Sequence, residues 1–522
     1  SWNLVMNKYK AVYEGDDEYD VIDVWDTLRE YKKTSYENYR WYEDNKHDPT
    51  ISADGKTVSY WSYVWDGKER QHPTVSGDGA QLTGSAGDDM ISNTGHYYLD
   101  YDGNLFVFDY GEYFYHPCDY CNVHDDSDLG GKNVTIDGGK GNDGIHNNGD
   151  SALINAGADD DYISNSGANS EINGDSGKDY IYNSGNNVKI NGGSDHDIIS
   201  NSGDNSNINA GSGKDFIGNG GSTVTIKAGA GKDTVNNSGS NVSISGGDGD
   251  NLISLNGGKD VTIKTGKDID SIVADYYGVS VAIESGAGKN LITLTSNWSE
   301  KFISVNGGIN EVSVAGSADT IITGEGDDKI TVSGYGNSID VGAGKDIVAI
   351  SEGFTYNTIS TGEGDDKIIV NGSHNSIVAG NNDLFVNDTD DDYISLRSGT
   401  DNTIETGNGS DTVWIKDDAS NNTIDTGGQN DSIRSEANNV SINSGYGSDT
   451  VENWGEYVTI EAGDLNTTGG KNSITNHACN VTISGSGDSD TITNYQGKAV
   501  SINAGRGKDV INLYSLEKPE KV

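Results

Sequence analysis

The 522-residue chain is poor in apolar and in basic residues, and it has no long apolar segment. Hydrophobic residues make up 33% of it, and 82 acidic against 34 basic residues give a formal net charge of −48. Because no run of about 18 or more apolar residues occurs, we expect no membrane-spanning helix. The excess of carboxylates would repel nucleic acid phosphates, and it favours cation binding or a salty extracellular setting.

Familiar enzyme motifs are missing too. The sequence contains no His-Glu-x-x-His, no Gly-x-Ser-x-Gly and no phosphate-binding loop. Acidic residues are so abundant that no carboxylate pair can be singled out for acid–base chemistry. We therefore expect that the chain is not an enzyme.

What the chain has instead is an eighteen-residue repeat. Low apolar content with high net charge is typical of disorder, but a repeat can stack a few aliphatic side chains per turn into a continuous core. An acidic residue recurs every eighteen residues, and an aliphatic residue follows two positions later, as in Asp179 and Ile181. The two aliphatic columns are Ile145, Ile163, Ile181, Ile199, Ile217, Val235 and Ile253, and, half a period away, Ile136, Ile154, Ile172, Ile190, Ile208, Ile226 and Ile244.

This period predicts stacked strands rather than helices, because a helix would repeat near 3.6 residues and would not tolerate so many glycines. Two short strands per repeat, each after a glycine turn, would place neighbouring turns ~4.8 Å apart. The predicted fold is all-β, a right-handed parallel β-roll or β-helix solenoid with turns of ~18 residues. The same repeat, with less regular spacing, continues at 324–332, 342–350, 362–370, 407–415, 445–453 and 505–513.

The repeated phrase resembles the nonapeptide of the RTX, or hemolysin-type calcium-binding, family. "GDSGKDYIY" (174–182) and "GGKGNDGIH" (138–146) follow its pattern Gly-Gly-x-Gly-x-Asp-x-aliphatic-x. The resemblance covers roughly three quarters of the chain. It implies a parallel β-roll with calcium between the glycine-rich turns of successive coils. It also implies a secreted or surface bacterial protein, such as an adhesin, toxin, protease, epimerase or surface-layer protein.

The aspartate column is the predicted metal site. Unit charges ~4.8 Å apart repel by about 3.5 kcal/mol at an effective dielectric near 20, so stacked carboxylates need a counter-charge. Lys178, Lys214 and Lys232 precede the aspartates, but adjacent side chains point apart in extended backbone. Calcium accepts six to eight oxygen ligands in flexible geometry; the alternative is that these aspartates are only turn residues. The candidate calcium ligands are Asp143, Asp161, Asp179, Asp197, Asp215, Asp233, Asp328, Asp346, Asp366, Asp411, Asp449 and Asp509.

The other half of each repeat departs from the RTX pattern. Segments such as "NSGANSEIN" (165–173) and "NSGNNVKIN" (183–191) lack the Gly-x-Asp before the aliphatic residue. Asparagine tolerates left-handed turn conformations and can form amide ladders between coils. We therefore predict that one edge of the solenoid carries metal and the other carries stacked asparagines.

The sequence outside the repeat predicts two further parts. Residues 1–80 are read as a small N-terminal cap domain, with a helix within 19–44 and strands such as 56–65. Residues 81–522 form the solenoid, interrupted by an aromatic insertion at 96–130 that either binds a ligand or packs against the cap. In the insertion, Cys118 and Cys121 are compatible with a disulfide, free thiols or a metal site.

These features predict an extracellular calcium-binding structural protein at the bacterial cell surface, part of an adhesin, a surface layer or a fibre. One alternative is an RTX-type secreted enzyme or toxin with its activity outside the repeats. Another is a solenoid that binds polysaccharide, or ice, through a flat face. A regular outward row of threonines would favour ice. The expected partners are calcium and either further copies of the chain or cell-surface glycans, with no nucleic acid and no membrane span.

Overall fold

The computed structural model describes residues 132–274, 280–295, 301–380, 390–463, 470–495 and 498–514, together with the backbone of nine strands between residues 9 and 123. These residues form strands and turns, without a helix. In that part of the chain no helix has the length and apolarity needed to cross a membrane. In the segment 19–44, where a helix is expected, Tyr39–Glu43 is a strand. The rest of that segment and the Cys118 and Cys121 motif lie outside the described residues.

Nine described strands lie before residue 131, and two of them, Gln81–Thr83 and Met90–Asn93, pair in parallel with Thr135–Lys140 and Gly144–Asn147 of the regular repeat. The nine strands are β1 (Tyr9–Tyr13), β2 (Tyr39–Glu43), β3 (Val58–Trp65), β4 (Lys68–Val75), β5 (Gln81–Thr83), β6 (Met90–Asn93), β7 (Tyr97–Leu99), β8 (Leu105–Val107) and β9 (Asn122–Val123). β1 pairs with β2 and β3 with β4, both antiparallel. β7 pairs antiparallel with β8 and β9. The division into a cap domain and a solenoid stays a prediction.

The chain divides into two compact units, Ser1–Ile253 and Ser254–Val522, and each contains two parallel sheets. In the first unit, sheet A contains β10 (Thr135–Lys140), β12 (Leu153–Ala158), β14 (Glu171–Ser176), β16 (Lys189–Ser194), β18 (Asn207–Gly213), β20 (Thr225–Gly231) and β22 (Ser243–Asp248). Its sheet B contains β11 (Gly144–Asn147), β13 (Tyr162–Asn165), β15 (Tyr180–Asn183), β17 (Ile198–Asn201), β19 (Phe216–Asn219) and β21 (Thr234–Asn237), and β23 (Leu252–Leu255) lies at the unit boundary.

The second unit repeats this arrangement with shorter strands. Its sheet A contains β24 (Val261–Lys264), β26 (Val281–Ser285), β28 (Phe302–Val305), β30 (Thr320–Ile322), β32 (Ser338–Asp340), β34 (Thr358–Ser360), β36 (Ser376–Val378), β38 (Thr403–Glu405), β40 (Thr423–Asp425), β42 (Ser441–Asn443), β44 (Thr459–Glu461), β46 (Thr482–Ser484) and β48 (Ser501–Asn503). Its sheet B contains β25 (Ser271–Ala274), β27 (Leu291–Leu294), β29 (Glu311–Ala315), β31 (Lys329–Ser333), β33 (Ile347–Ile350), β35 (Lys367–Asn371), β37 (Tyr393–Ser398), β39 (Thr412–Ile415), β41 (Ser432–Ser435), β43 (Thr450–Asn453), β45 (Ser473–Asn476), β47 (Thr491–Asn494) and β49 (Val510–Leu513).

The pairing register confirms the predicted all-β parallel solenoid. In the first unit Ile163 pairs with Ile181, and Ile154 with Ile172, eighteen residues apart. Both predicted aliphatic columns are buried, with relative exposures of 0–1%. Side chains alternate between core and solvent along each strand, as in Tyr180–Asn183, where Ile181 points inward. A narrow aliphatic core therefore runs between the two sheets of each unit.

An asparagine ladder lies where each sheet B strand of the first unit ends, and it confirms the predicted amide stacking. Asn165 donates from Nδ2 to Oδ1 of Asn183 at 2.7 Å and to the carbonyl of Gly167 at 2.9 Å. A Cβ atom on Gly185 would lie under 3.0 Å from that carbonyl, so this close approach requires glycine. The buried ladder contains Asn147, Asn165, Asn183, Asn201, Asn219 and Asn237.

We expect Ile181→Asp to destabilise the first unit by several kcal/mol, because it places a charge in the aliphatic column between Ile163 and Ile199. Denaturant unfolding followed by circular dichroism measures the change. The matched control is Tyr180→Asp, since Tyr180 precedes Ile181 on the same strand and is 45% exposed. Equal stability of the two variants would contradict the register.

Candidate cation-binding column

The predicted aspartates of the first unit lie in one buried column at the turn before each sheet B strand. The backbone N–H of each member donates to Oδ1 of the member one coil later, at 2.7–3.0 Å. Every member is at most 2% exposed. The column consists of Asp143, Asp161, Asp179, Asp197, Asp215, Asp233 and Asn251.

The second unit contains an equivalent column, linked in the same way at 2.6–3.3 Å. Its members are Asp270, Asn290, Asn310, Asp328, Asp346, Asp366, Asp392, Asp411, Asp431, Asp449, Asn472, Asp490 and Asp509. All six predicted aspartates of this unit belong to it. Sequence analysis missed Asp270, Asp392, Asp431 and Asp490, although an isoleucine follows each of them by two positions and could have identified them.

The second carboxylate oxygen distinguishes these aspartates from ordinary turn residues. Oδ1 is satisfied by the neighbouring coil, but Oδ2 is buried without a hydrogen bond in most members. Buried carboxylate oxygens are normally hydrogen-bonded or bound to a cation. The affected aspartates are Asp161, Asp179, Asp197, Asp215, Asp233, Asp328, Asp346, Asp366, Asp392 and Asp431.

This environment raises the pKa of the column. Burial raises the pKa of Asp161 and of Asp197 to about 8, against the backbone N–H bond that each accepts, and neighbouring carboxylates add to the rise. The same cause raises the pKa of Asp179 and of Asp215 to about 6. An ionised column is therefore unfavourable at neutral pH unless a cation or a proton compensates each carboxylate.

In several coils a backbone carbonyl faces the same space as Oδ2. A Cβ atom on Gly174 would lie under 3.0 Å from both Oδ2 of Asp179 and the carbonyl oxygen of Gly192. Gly192 has the same relation to Oδ2 of Asp197 and the carbonyl of Ala210. Two acceptors that converge without a donor repel each other, whereas a calcium ion, bound at about 2.3–2.6 Å from oxygen, would attract both.

In the second unit, hydroxyl groups satisfy some of the equivalent oxygens. Ser444 donates to Oδ2 of Asp449 at 2.7 Å, and Thr406 donates to Oδ2 of Asp411. Oδ2 of Asp490 accepts the backbone N–H of Ser486 at 2.7 Å and lies 3.2 Å from its hydroxyl.

Three other threonines of the second unit lie near the column without forming such a bond. Thr323 donates to the carbonyl of Val341, and Thr426 to that of Ser444. The hydroxyls of Thr323, Thr361 and Thr426 oppose the rise in pKa of Asp328, Asp366 and Asp431, but Oδ2 of each aspartate lacks a hydrogen bond of ordinary geometry. Oδ2 of Asp328 and of Asp431 thus stays without a hydrogen bond because the nearby hydroxyls donate to these two carbonyls, and the hydroxyl of Thr361 has no hydrogen-bond partner of its own.

At one coil the chain supplies a cation of its own. Lys301 is 2% exposed, and its Nζ lies 3.4 Å from Oδ2 of Asp319 and 2.8 Å from the carbonyl oxygen of Ala315. Asp319 lies at the turn before a sheet A strand, on the edge opposite the aspartate column. The ammonium thus contacts one carboxylate oxygen and one backbone carbonyl, the two kinds of ligand that face Gly174.

The column fits a hard cation bound mainly by oxygen. Within the described residues, no three His, Cys, Asp or Glu side chains are grouped to hold a metal ion. A cation at the column would therefore take aspartate Oδ2 together with backbone carbonyls, which are ligands that calcium accepts. Lys178, Lys214 and Lys232 are exposed, and among the ion pairs of the described residues none joins them to the column.

Comparison with known proteins gives one partial match. Residues 299–353, about a tenth of the chain, match the model of a family described as a protein of unknown function (DUF3060). No curated protein matches the chain. No solved structure matches it either.

We expect the unfolding temperature in chelator to fall as the pH rises from about 5.5 to about 8.5, because Asp161 and Asp197 keep their protons longer in the folded than in the unfolded chain. Raised folded-state pKa values stabilise the fold below the ordinary aspartate pKa of 3.8, and this stabilisation is lost as the pH passes about 8. Thermal scans test this, with Asp197→Asn expected to flatten the dependence and exposed Asp248→Asn as the control. A melting temperature that rises over this interval would contradict the assignment.

Proposed function

We propose that this chain is an extracellular structural protein whose β-solenoid is stiffened by calcium bound along the aspartate column. The single observation that carries the proposal is the series of buried Oδ2 atoms without a hydrogen bond, from Asp161 to Asp233. These aspartates recur every eighteen residues, so the same kind of cation site could neutralise the carboxylate in each of these coils. Millimolar calcium, as found outside cells, matches the weak, oxygen-rich sites of extracellular calcium modules.

The resemblance to RTX repeats supports a place at the bacterial cell surface, as part of an adhesin, a surface layer or a fibre. A narrow core without any described helix suits a stiff spacer better than an enclosed active site. The high negative charge keeps such a chain soluble, and calcium would reduce the self-repulsion of the carboxylates.

A second candidate, binding of polysaccharide, is favoured by a row of hydroxyl groups on sheet A of the second unit. One residue from each sheet A strand from β30 to β48 pairs in register with its equivalent, and the row is exposed or half-buried. Its members are Thr320, Ser338, Thr358, Ser376, Thr403, Thr423, Ser441, Thr459, Thr482 and Ser501. Threonine is also a common residue on the exposed face of strands, so the row ranks below the aspartate column as a guide to function.

Calcium should raise the melting temperature of the full chain strongly at about pH 8, because a ligand that binds only the folded state adds about 2.7 kcal/mol per site at 100 times its Kd. Differential scanning calorimetry in calcium and in chelator measures the effect. Magnesium at equal ionic strength is the control, since it requires near-octahedral geometry and retains its waters. Equal melting temperatures in calcium, magnesium and chelator would refute the calcium proposal.

We further propose that the chain associates with copies of itself. Each coil pairs in register and in parallel with the one before it, as Val510–Leu513 does with Thr491–Asn494, and a second copy of the chain could extend the same pairing. A head-to-tail contact at such a strand edge produces a fibre unless its rotation closes a ring.

Light scattering and electron microscopy, with calcium or with chelator, should show larger assemblies in calcium. An Ile511→Lys variant should reduce them, with exposed Tyr495→Lys as the control. Particles that stay monomeric in both conditions would rule out self-association. If these particles were also captured by a polysaccharide array, the second candidate would be favoured.

A further inference from the structure

Not every aspartate of the column has the same need for a cation. In the first unit the residue five positions before the aspartate is glycine or alanine, as in Gly174 before Asp179 and Ala228 before Asp233. Neither can donate a hydrogen bond from its side chain, and Oδ2 of both aspartates is unsatisfied.

In the second unit the residue at this position is often a threonine or serine. Where its hydroxyl reaches Oδ2, as in Thr406 with Asp411 and Ser444 with Asp449, the carboxylate has a donor for each oxygen. A hydroxyl that already occupies Oδ2 also fills the space where a cation would contact this oxygen. Asp490 reaches the same state through the N–H and hydroxyl of Ser486.

We infer that calcium binds only at those coils in which no side-chain or backbone donor reaches Oδ2, so that Asp411, Asp449 and Asp490 bind none although they lie in the same column. This inference rests on the proposed calcium function and narrows it. Asp161, Asp179, Asp197, Asp215 and Asp233 form the longest uninterrupted series without a donor among the described residues. The first unit therefore contains the longest continuous series of calcium-binding coils, and two of the sequence-predicted ligands, Asp411 and Asp449, are structural.

The buried pair of Lys301 and Asp319 supports this division, since it is a third way to compensate a stacked carboxylate. The Nζ atom lies where it contacts Oδ2 of Asp319 at 3.4 Å, and the side chain is 1% exposed. A hydroxyl, an ammonium and an external cation are thus three alternative partners for a buried carboxylate oxygen. A carboxylate whose Oδ2 already contacts a hydroxyl or an ammonium has no remaining need for an external cation.

The first test compares Asp215→Asn with Asp411→Asn in the full-length chain. Asparagine is accommodated at this position, because Asn251 and Asn290 occupy it and accept the same backbone bond. Isothermal titration with calcium alone should show about one calcium fewer for Asp215→Asn and an unchanged number for Asp411→Asn. Equal losses in the two variants would overturn the inference.

The second test moves the hydroxyl instead of the carboxylate. Ala228→Ser should introduce a donor to Asp233, by analogy with Ser444 and Asp449, and lower the number of bound calcium ions. The control is Ala152→Ser, which adds a buried hydroxyl at the other edge, where Ser170 occupies the equivalent place one coil later. Conversely, Ser444→Ala should add a calcium ion at Asp449.

The outcomes distinguish failure of the proposed calcium function from failure of the inference about individual coils. If the unmodified chain binds no calcium, the proposed function fails, and the division between coils fails with it. If the chain binds calcium but Ala228→Ser and Ser444→Ala leave the number unchanged, only the inference fails. Should Asp215→Asn not fold, the two serine variants still decide the question, because they change a single oxygen atom each.

Discussion

In-register parallel stacking is the constraint on which the rest of this structure depends. Because each coil repeats its predecessor after about eighteen residues, each side chain lies against its own equivalent in the next coil. Stacking is favourable for isoleucine, which gains apolar contacts on both sides, and for asparagine, whose amide donates to one neighbour and accepts from the other. It is unfavourable for aspartate, since like charges meet in a buried environment. The three kinds of column in the first unit follow from this one rule, and only the aspartate column requires a counter-charge or a proton in addition.

The sequence was sufficient to predict the fold, because the repeat is regular and both aliphatic columns lie where the period places them. Ile181 is buried between Ile163 and Ile199 as predicted, and the asparagine ladder follows from its Asn-Ser-Gly phrases. Sequence reasoning assigned twelve aspartates to the column but passed over Asp392 and Asp431, because their preceding residues do not form the glycine pattern. The isoleucine two positions after the aspartate therefore predicts membership of the column better than the glycines before it.

The repeat does not predict which group neutralises each carboxylate, because this depends on side-chain contacts within and between coils. Thr406 lies five residues before Asp411 and bonds to it, but Thr361 has the same spacing to Asp366 and no hydrogen-bond partner, so the spacing alone does not predict the contact. The ion pair between Lys301 and Asp319 spans eighteen residues and lies on the opposite edge, where the sequence suggested no charge. Such contacts become visible only when the register and the side-chain direction are both known.

Whether a donor reaches Oδ2 decides how far the stability of a coil depends on the surrounding ions and pH. A carboxylate with a hydroxyl or an ammonium at Oδ2 is compensated within the chain itself. In a coil with glycine or alanine five positions before the aspartate, no side chain donates to Oδ2. A proton and a cation then compete for this carboxylate, because either can neutralise it. Unpaired carboxylates would destabilise such coils where calcium is scarce and the pH is neutral. Because neighbouring coils support each other, calcium bound as proposed along this run of five aspartates would make the order of the first unit depend cooperatively on the ions around it.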